Sequence, residues 1–73
     1  MLEKFITENL LSTENFISVS TKEVYERYLI FCSNHQIKPF GKKEFYSKLE
    51  HLGILRNRNR KNFKGWFLKR CPY

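Results

Sequence analysis

Four punctuating residues constrain this chain most: Ser20, Pro39, Gly41 and Gly53. Ser20 is followed three residues later by Glu23, the pairing in which a hydroxyl and a carboxylate satisfy the open amides of a helix's first turn. Beyond it Val24, Tyr25, Tyr28, Leu29 and Cys32 recur on one face, which Phe31 widens. Pro39 cannot continue a helix and restricts Lys38 before it, so "NHQIKPFG" closes this one. A second pattern, "KKEFYSKLEHLG", starts after Gly41, with Glu44 near the positive end of the helix dipole. Phe45, Leu49 and Leu52 form its expected buried stripe, and Gly53 stands where a left-handed cap belongs. Two helices joined by a tight turn are therefore expected.

The flanks complete the architecture. "LEKFITENLL" places Leu2, Phe5, Ile6 and Leu10 near helical period, and its polar face holds more acid than base. That favours packing on a core over lying on a membrane. "STEN" breaks the pattern, and "FISVS" (Phe16–Ser20) supplies a short extended segment. From Ile54 the period changes. "ILRNR" and "FKGWFLK" read as strands separated by the turn-forming "NRKN", a hairpin of about five residues a side. The expected fold is α+β and mostly helical: a winged helix-turn-helix of three helices plus a C-terminal β-hairpin wing. With 73 residues, positions 1–73 make one domain with a modest core, too short for a deep catalytic cleft.

Charge is placed unevenly. The net charge is +7, yet residues 1–36 hold three bases and five glutamates, whereas residues 37–73 hold eleven bases and two glutamates. Such asymmetry points to a polyanionic partner. In a strand Arg56, Arg58 and Arg60 share a face at about 7 Å spacing, a charged edge beside the third helix with its own lysines. Arginine suits phosphate oxygens through charge-assisted bonds. The third helix is read as entering the major groove of double-stranded DNA. Its outward face holds Lys43, Ser47, Glu50 and His51. The candidates for base edges are Lys43, Ser47 and Glu50, with Tyr46 beside them. Lys42, Lys48, Arg56, Arg58, Arg60, Lys61 and Lys64 are the candidates for phosphates or, at the wing tip, the minor groove.

Other chemistries lack their parts. The chain has no aspartate and no clustered carboxylates, which argues against metal-dependent nuclease, polymerase and phosphatase sites. Gly41, Gly53 and Gly65 are isolated, so there is no phosphate-cradling loop. Cys32 and His35 share a helical face, but Cys32 belongs to the core stripe and is expected to be a buried thiol. A zinc set of Cys32, His35, His51 and Cys71 has ligand spacing in its first pair only. Neither catalytic residues, metal, cofactor nor small-molecule substrate is expected. The longest apolar run, Tyr28 to Cys32, falls well short of the roughly 18 residues of a membrane span. Glu3 and Glu8 argue against a secretory signal, so a soluble, cytoplasmic protein is expected.

The residues "VYERYLIFC", then "GKKEFYSKLEHLGI", an Arg-rich link and "KGWFL" together resemble a known module. It is the C-terminal winged-helix domain of phage, plasmid and poxvirus-type primase–helicases, over about residues 18–70. Tyr25, Tyr28, Phe31, Cys32, Phe45, Leu49, Leu52, Gly53 and Gly65 carry the outline, and Gly41 replaces the Ser or Thr often found there. The resemblance implies the end of a longer replication protein of a virus or mobile element, with superfamily III helicase and often primase domains upstream. It also implies recognition of origin DNA. A protein-docking winged helix anchored by Trp66 and Phe67 is the alternative, against which Trp66 and Leu68 would alternate inward and complete the core. A free-standing phage-type regulator starting at Met1 is another, though no heptad or long terminal helix provides for dimers. Single-stranded nucleic acid stacking on Tyr46, Phe63 and Trp66 is a fourth reading, unless those rings are buried.

Overall fold

Asn9 decides where the first helix stops. The computed structural model describes residues 2–13 and 17–73; Met1, and Glu14, Asn15 and Phe16 from the "STEN" and "FISVS" segments, lie outside them. The first helix, α1 (Leu2–Asn9), is one residue shorter than its apolar stripe. Continuing it would tie the Asn9 carbonyl to the Thr13 amide. Instead Asn9 O accepts from Lys69 N at 2.7 Å, and Thr13 N donates to Gly65 O at 2.9 Å. The fully buried Asn9 side chain is satisfied as well: its amide donates to Phe5 O and Tyr73 Oη, and its oxygen accepts from Arg27. Leu10, although on the helical stripe, therefore buries itself as the first residue of β1 (Leu10–Ser12).

The chain then runs through β2 (Ser18–Ser20), α2 (Thr21–Asn34), α3 (Lys42–His51), β3 (Asn62–Lys64) and β4 (Trp66–Leu68). Ser20 caps α2 as expected, its Oγ accepting from Glu23 N at 3.0 Å. The helix stops before Pro39 acts. His35 is its C-cap, Gln36 takes a left-handed φ of 55°, and the amides of Gln36 and Ile37 return to Ser33 O and Cys32 O. That paired closure is a Schellman motif, and α3 ends in another: Gly53 N donates to Glu50 O and Ile54 N to Leu49 O, with φ +90° at Gly53. The second closure removes Leu52 from the buried stripe. It is 44% exposed on the capping turn, and Ile54 takes its place against Leu49.

Two tyrosines of α2 hold the turn that launches α3. Tyr25 Oη donates to Phe40 O, and Phe40 N donates to Tyr28 Oη. Both polar groups of the Phe40 peptide are thereby satisfied, one residue before the Gly41 cap. The same rings build the core. Tyr28 stacks on Phe45 with centroids 4.2 Å apart, while Phe5 meets Tyr28 and Phe31 edge-on at 5.5 Å and Phe45 at 6.0 Å. Val24 and the Cys32 thiol are buried as expected, but Leu29 is 38% exposed, because this aromatic group fills the space on the other side of α2.

The strands pair differently from the expected wing. The winged-helix class and its three helices stand, but Ile54–Arg58 forms no strand and the hairpin of five residues a side is absent. The C-terminal strand, interrupted at Gly65, runs antiparallel to the segment between α1 and α2: β4 pairs with β1 (Leu11 opposite Phe67) and β3 with β2 (Val19 opposite Phe63). Between the two pairings, Gly65 donates to Ile17 O and accepts from Thr13 N. The wing is a short turn. Arg60 N donates to Asn57 O and Asn57 N to Asn62 O, with φ +61° at Arg60. Asparagines at 57 and 59 favour turn backbone; Asn59 Oδ1 also accepts from Lys61 N. Only Ile54 of the run buries itself, leaving no alternating apolar face to hold a strand.

Gly65 has φ +83°, while a β-carbon there would meet only Thr13 O, at an ordinary 3.5 Å. Backbone strain rather than collision should govern substitution. Gly65→Ala is expected to lower unfolding free energy by about 1–2 kcal/mol, read from urea midpoints with an unchanged slope. A neutral result would mean that the break between β3 and β4 does not need a left-handed residue.

Candidate nucleic-acid interface

Two surfaces carry exposed cations. The first is the outer side of α3. Lys42, Lys43, Glu44, Ser47, Lys48 and His51 are exposed there and line a shallow hollow with Gly41. Two of its cations lie against rings that flank the inter-helix turn. Lys48 Nζ is 4.8 Å from the Phe40 centroid, and Lys42 Nζ is 5.9 Å from that of Tyr25. Each ring attracts its ammonium electrostatically without removing it from water. Further along the same ridge the His51 ring folds back on the preceding turn, Nδ1 lying 2.9 Å from Ser47 O.

The second surface is the turn and the strand after it. Arg58, Arg60, Lys61 and Lys64 are exposed, and Leu55, Arg56, Asn57, Arg58, Asn59 and Lys64 surround another shallow hollow. Arg56 belongs structurally to neither surface alone. Its guanidinium lies 4.7 Å from the Tyr46 centroid and 3.4 Å from Glu50 Oε1, and its side chain is 21% exposed. It clamps the segment after α3 back onto α3. An ion pair of this exposure contributes modestly by itself, so packing on the ring carries much of the clamp.

The arginine ladder is thus corrected. Arg56, Arg58 and Arg60 do not share a strand face, since residues 57–60 turn and Arg60 is left-handed. Arg56 is a clamp, while Arg58 and Arg60 project from the turn.

Tyr46 is withdrawn from the base-edge candidates. It is buried, and its hydroxyl donates to Thr21 O at 3.1 Å. Phe63 is buried too, and Trp66 packs partly buried on the core, so neither these two rings nor Tyr46 offers an open face for stacking bases. A signal for Tyr46 was present: Phe45, Tyr46 and Leu49 repeat the i, i+1, i+4 spacing of Val24, Tyr25 and Tyr28. Lys43 and Ser47 remain exposed on α3, and Glu50 is exposed but engaged by Arg56. Nothing in the sequence pattern marked Arg56 as a clamp rather than a phosphate contact, because its partners Tyr46 and Glu50 lie in a separate element.

Comparison with known proteins fits this architecture. A family model described as the CDC6 C-terminal winged helix domain matches residues 3–69. The chain belongs to that family. The CDC6-type match takes in α1 and β1, which the resemblance over residues 18–70 left out, and it identifies a replication-associated winged helix. No curated protein and no solved structure gives a significant match. Among the described residues, no helix of this CDC6-type domain is long and apolar enough to cross a membrane.

The joint made by Tyr46 yields two expectations. Tyr46→Phe keeps the ring under Arg56 but removes the hydroxyl's bond to Thr21 O, and should cost about 0.5–1.5 kcal/mol in urea unfolding. An unchanged midpoint would remove the bond from the clamp. The second concerns alkaline pH. Burial pushes the Tyr46 phenol above its ordinary value, opposed by the bond to Thr21 and by Arg56, and pushes Tyr28 up to about 12. The unfolded chain ionises these phenols near 10, so between about pH 10 and 12 it binds fewer protons than the folded one. Stability from this source is complete below pH 10 and should fall as pH rises through that window. Unfolding free energies at pH 8, 10 and 11 test this, and a flat profile would contradict it.

Proposed function

We propose that this chain is a double-stranded DNA-binding module of a replication protein, with α3 in the major groove and the Asn57–Arg60 turn against the backbone. The observation that supports the reading is the Arg56 clamp, which ties the segment leading into the cationic turn to Tyr46 and Glu50 of α3. Lys43 and Ser47 are assigned to base edges, and Glu50 to the rim where α3 meets the turn. Lys42, Lys48, Arg58, Arg60, Lys61 and Lys64 are assigned to phosphates. In this reading Arg56 contributes by holding geometry. Membership in the CDC6-type family supports a replication setting. Within it, the module recognises origin DNA on behalf of helicase or primase domains upstream in the same polypeptide, where several copies would raise avidity.

A second reading has its own observation. Phe67 is 45% exposed between the partly buried Trp66 and Leu68, and it lines a hollow with Ile17 and Ile30, rimmed by Glu23 and Glu26. That surface suits a protein partner. It is independent of the cationic residues, so the two readings separate experimentally.

Salt dependence is the direct test. If about six phosphates are neutralised, log affinity for duplex DNA should fall against log salt with a slope near −5. Arg58→Ala or Lys61→Ala should each make the slope shallower by about 1, while Phe67→Ser leaves it unchanged. A salt-independent affinity, or no duplex binding at low salt, would sink the proposal.

A further inference from the structure

We infer that His51 is a specificity-determining residue of this interface, accepting a hydrogen bond from the exocyclic amino group of an adenine or cytosine; the inference rests on the duplex-binding reading above. Its Nδ1 lies 2.9 Å from Ser47 O. A carbonyl oxygen only accepts, so Nδ1 carries the hydrogen, and in the imidazole form of the ring Nε2 is left as a lone pair. The bond to the previous turn also fixes the ring's direction, as helical side chains lean toward the N-terminus. Nε2 is thus an oriented acceptor on an exposed side chain.

The surroundings make that acceptor distinctive. His51 borders the hollow that holds Lys43 and Ser47, and also a neighbouring hollow lined by Phe40 and Leu52. Lysines on this ridge only donate, and so favour the carbonyl and N7 acceptors of guanine or the phosphates. Glu50, a natural acceptor, is turned to Arg56. Glu44 lines the first hollow from about two turns nearer the start of α3, and Glu3 of α1 lines the second, so His51 is the acceptor at the C-terminal end of this ridge. At its end of the helix, His51 supplies what the lysines lack. In the major groove the donors are the adenine N6 and cytosine N4 amino groups, which a lone-pair nitrogen favours over the carbonyl oxygens of guanine and thymine. The competing account is a histidine that merely suits the negative end of a helix. That role predicts altered stability but no altered base preference.

The test is a binding selection from a random double-stranded DNA library at near-physiological salt, with the wild-type chain, His51→Ala and His51→Arg. Helix content by circular dichroism checks that each variant folds. The wild-type motif is expected to hold one position restricted to adenine or cytosine, by about tenfold or more over the other bases. His51→Ala should flatten that position alone. His51→Arg, a fork of donors, should turn it to guanine. A motif unchanged in both variants overturns the role of His51 and leaves duplex binding standing. Recovery of DNA without any wild-type motif does the same. No recovered DNA from any chain overturns both.

Discussion

The peptide of Thr21 is tied on both sides, and the positions of α3 and the turn depend on it. Its N–H donates to Lys61 O at 2.8 Å, and its C=O accepts from Tyr46 Oη at 3.1 Å. The first residue of α2 therefore holds the strand that follows the turn and the middle of α3 at once. Tyr46 adds contacts to both sides: its ring neighbours Phe63 of β3 and carries the Arg56 guanidinium. Buried groups satisfied in this way are costly to disturb, because each lost bond strands its partner away from water. The basic surface is built on a polar joint as much as on apolar packing.

The apolar packing does a different job. Phe5 contacts rings from α2 and α3, so a single side chain of the shortest helix brings all three helices together. A chain of 73 residues cannot bury a large area, and aromatic side chains supply the most per residue. Three of these rings also have polar tips. Tyr25 and Tyr28 use theirs on Phe40, and Tyr46 on Thr21, so residues that fill the core also position the turn and the recognition helix. Aromatic content, at first sight a matter of core filling, is here also what fixes loop geometry.

Those double roles explain what was legible in the sequence and what was not. Local signals carried through. The Ser20–Glu23 cap, the Gly41 start and the Gly53 stop depend on a few neighbouring residues, and each lies where its chemistry requires. Signals that needed a distant partner misled. Leu10 and Leu52 continue their helical stripes, yet Lys69 and Ile54 compete for the local backbone and core space and win. The alternation "RNRNR" suits a strand only if another strand takes its hydrogen bonds. The C-terminal strand pairs instead with residues 10–12 and 18–20, leaving the asparagines to form a turn. Tyr46 was read as standing beside the base-edge residues of α3, while the buried position it fills is created by α2 and β3.

The three arginines that look equivalent in sequence thus divide by geometry. Arg56, one of the eleven bases set against two glutamates in residues 37–73, loses much of its exposure and pairs with Glu50, which lets the chain fold back on α3 with one open cation fewer. Arg58 and Arg60 keep theirs. Arg60 does so in a left-handed conformation that costs a non-glycine residue about 1 kcal/mol or more. Glycine at that position would remove the strain and the charge together. Keeping an arginine there is reasonable if the cation is worth more to binding than the strain is to stability. The concentration of like charge is destabilising for the isolated domain and favourable only opposite a polyanion. The folded chain tolerates that repulsion because its holding interactions, the Thr21 joint and the Phe5 ring cluster, lie beneath the charges and do not depend on them.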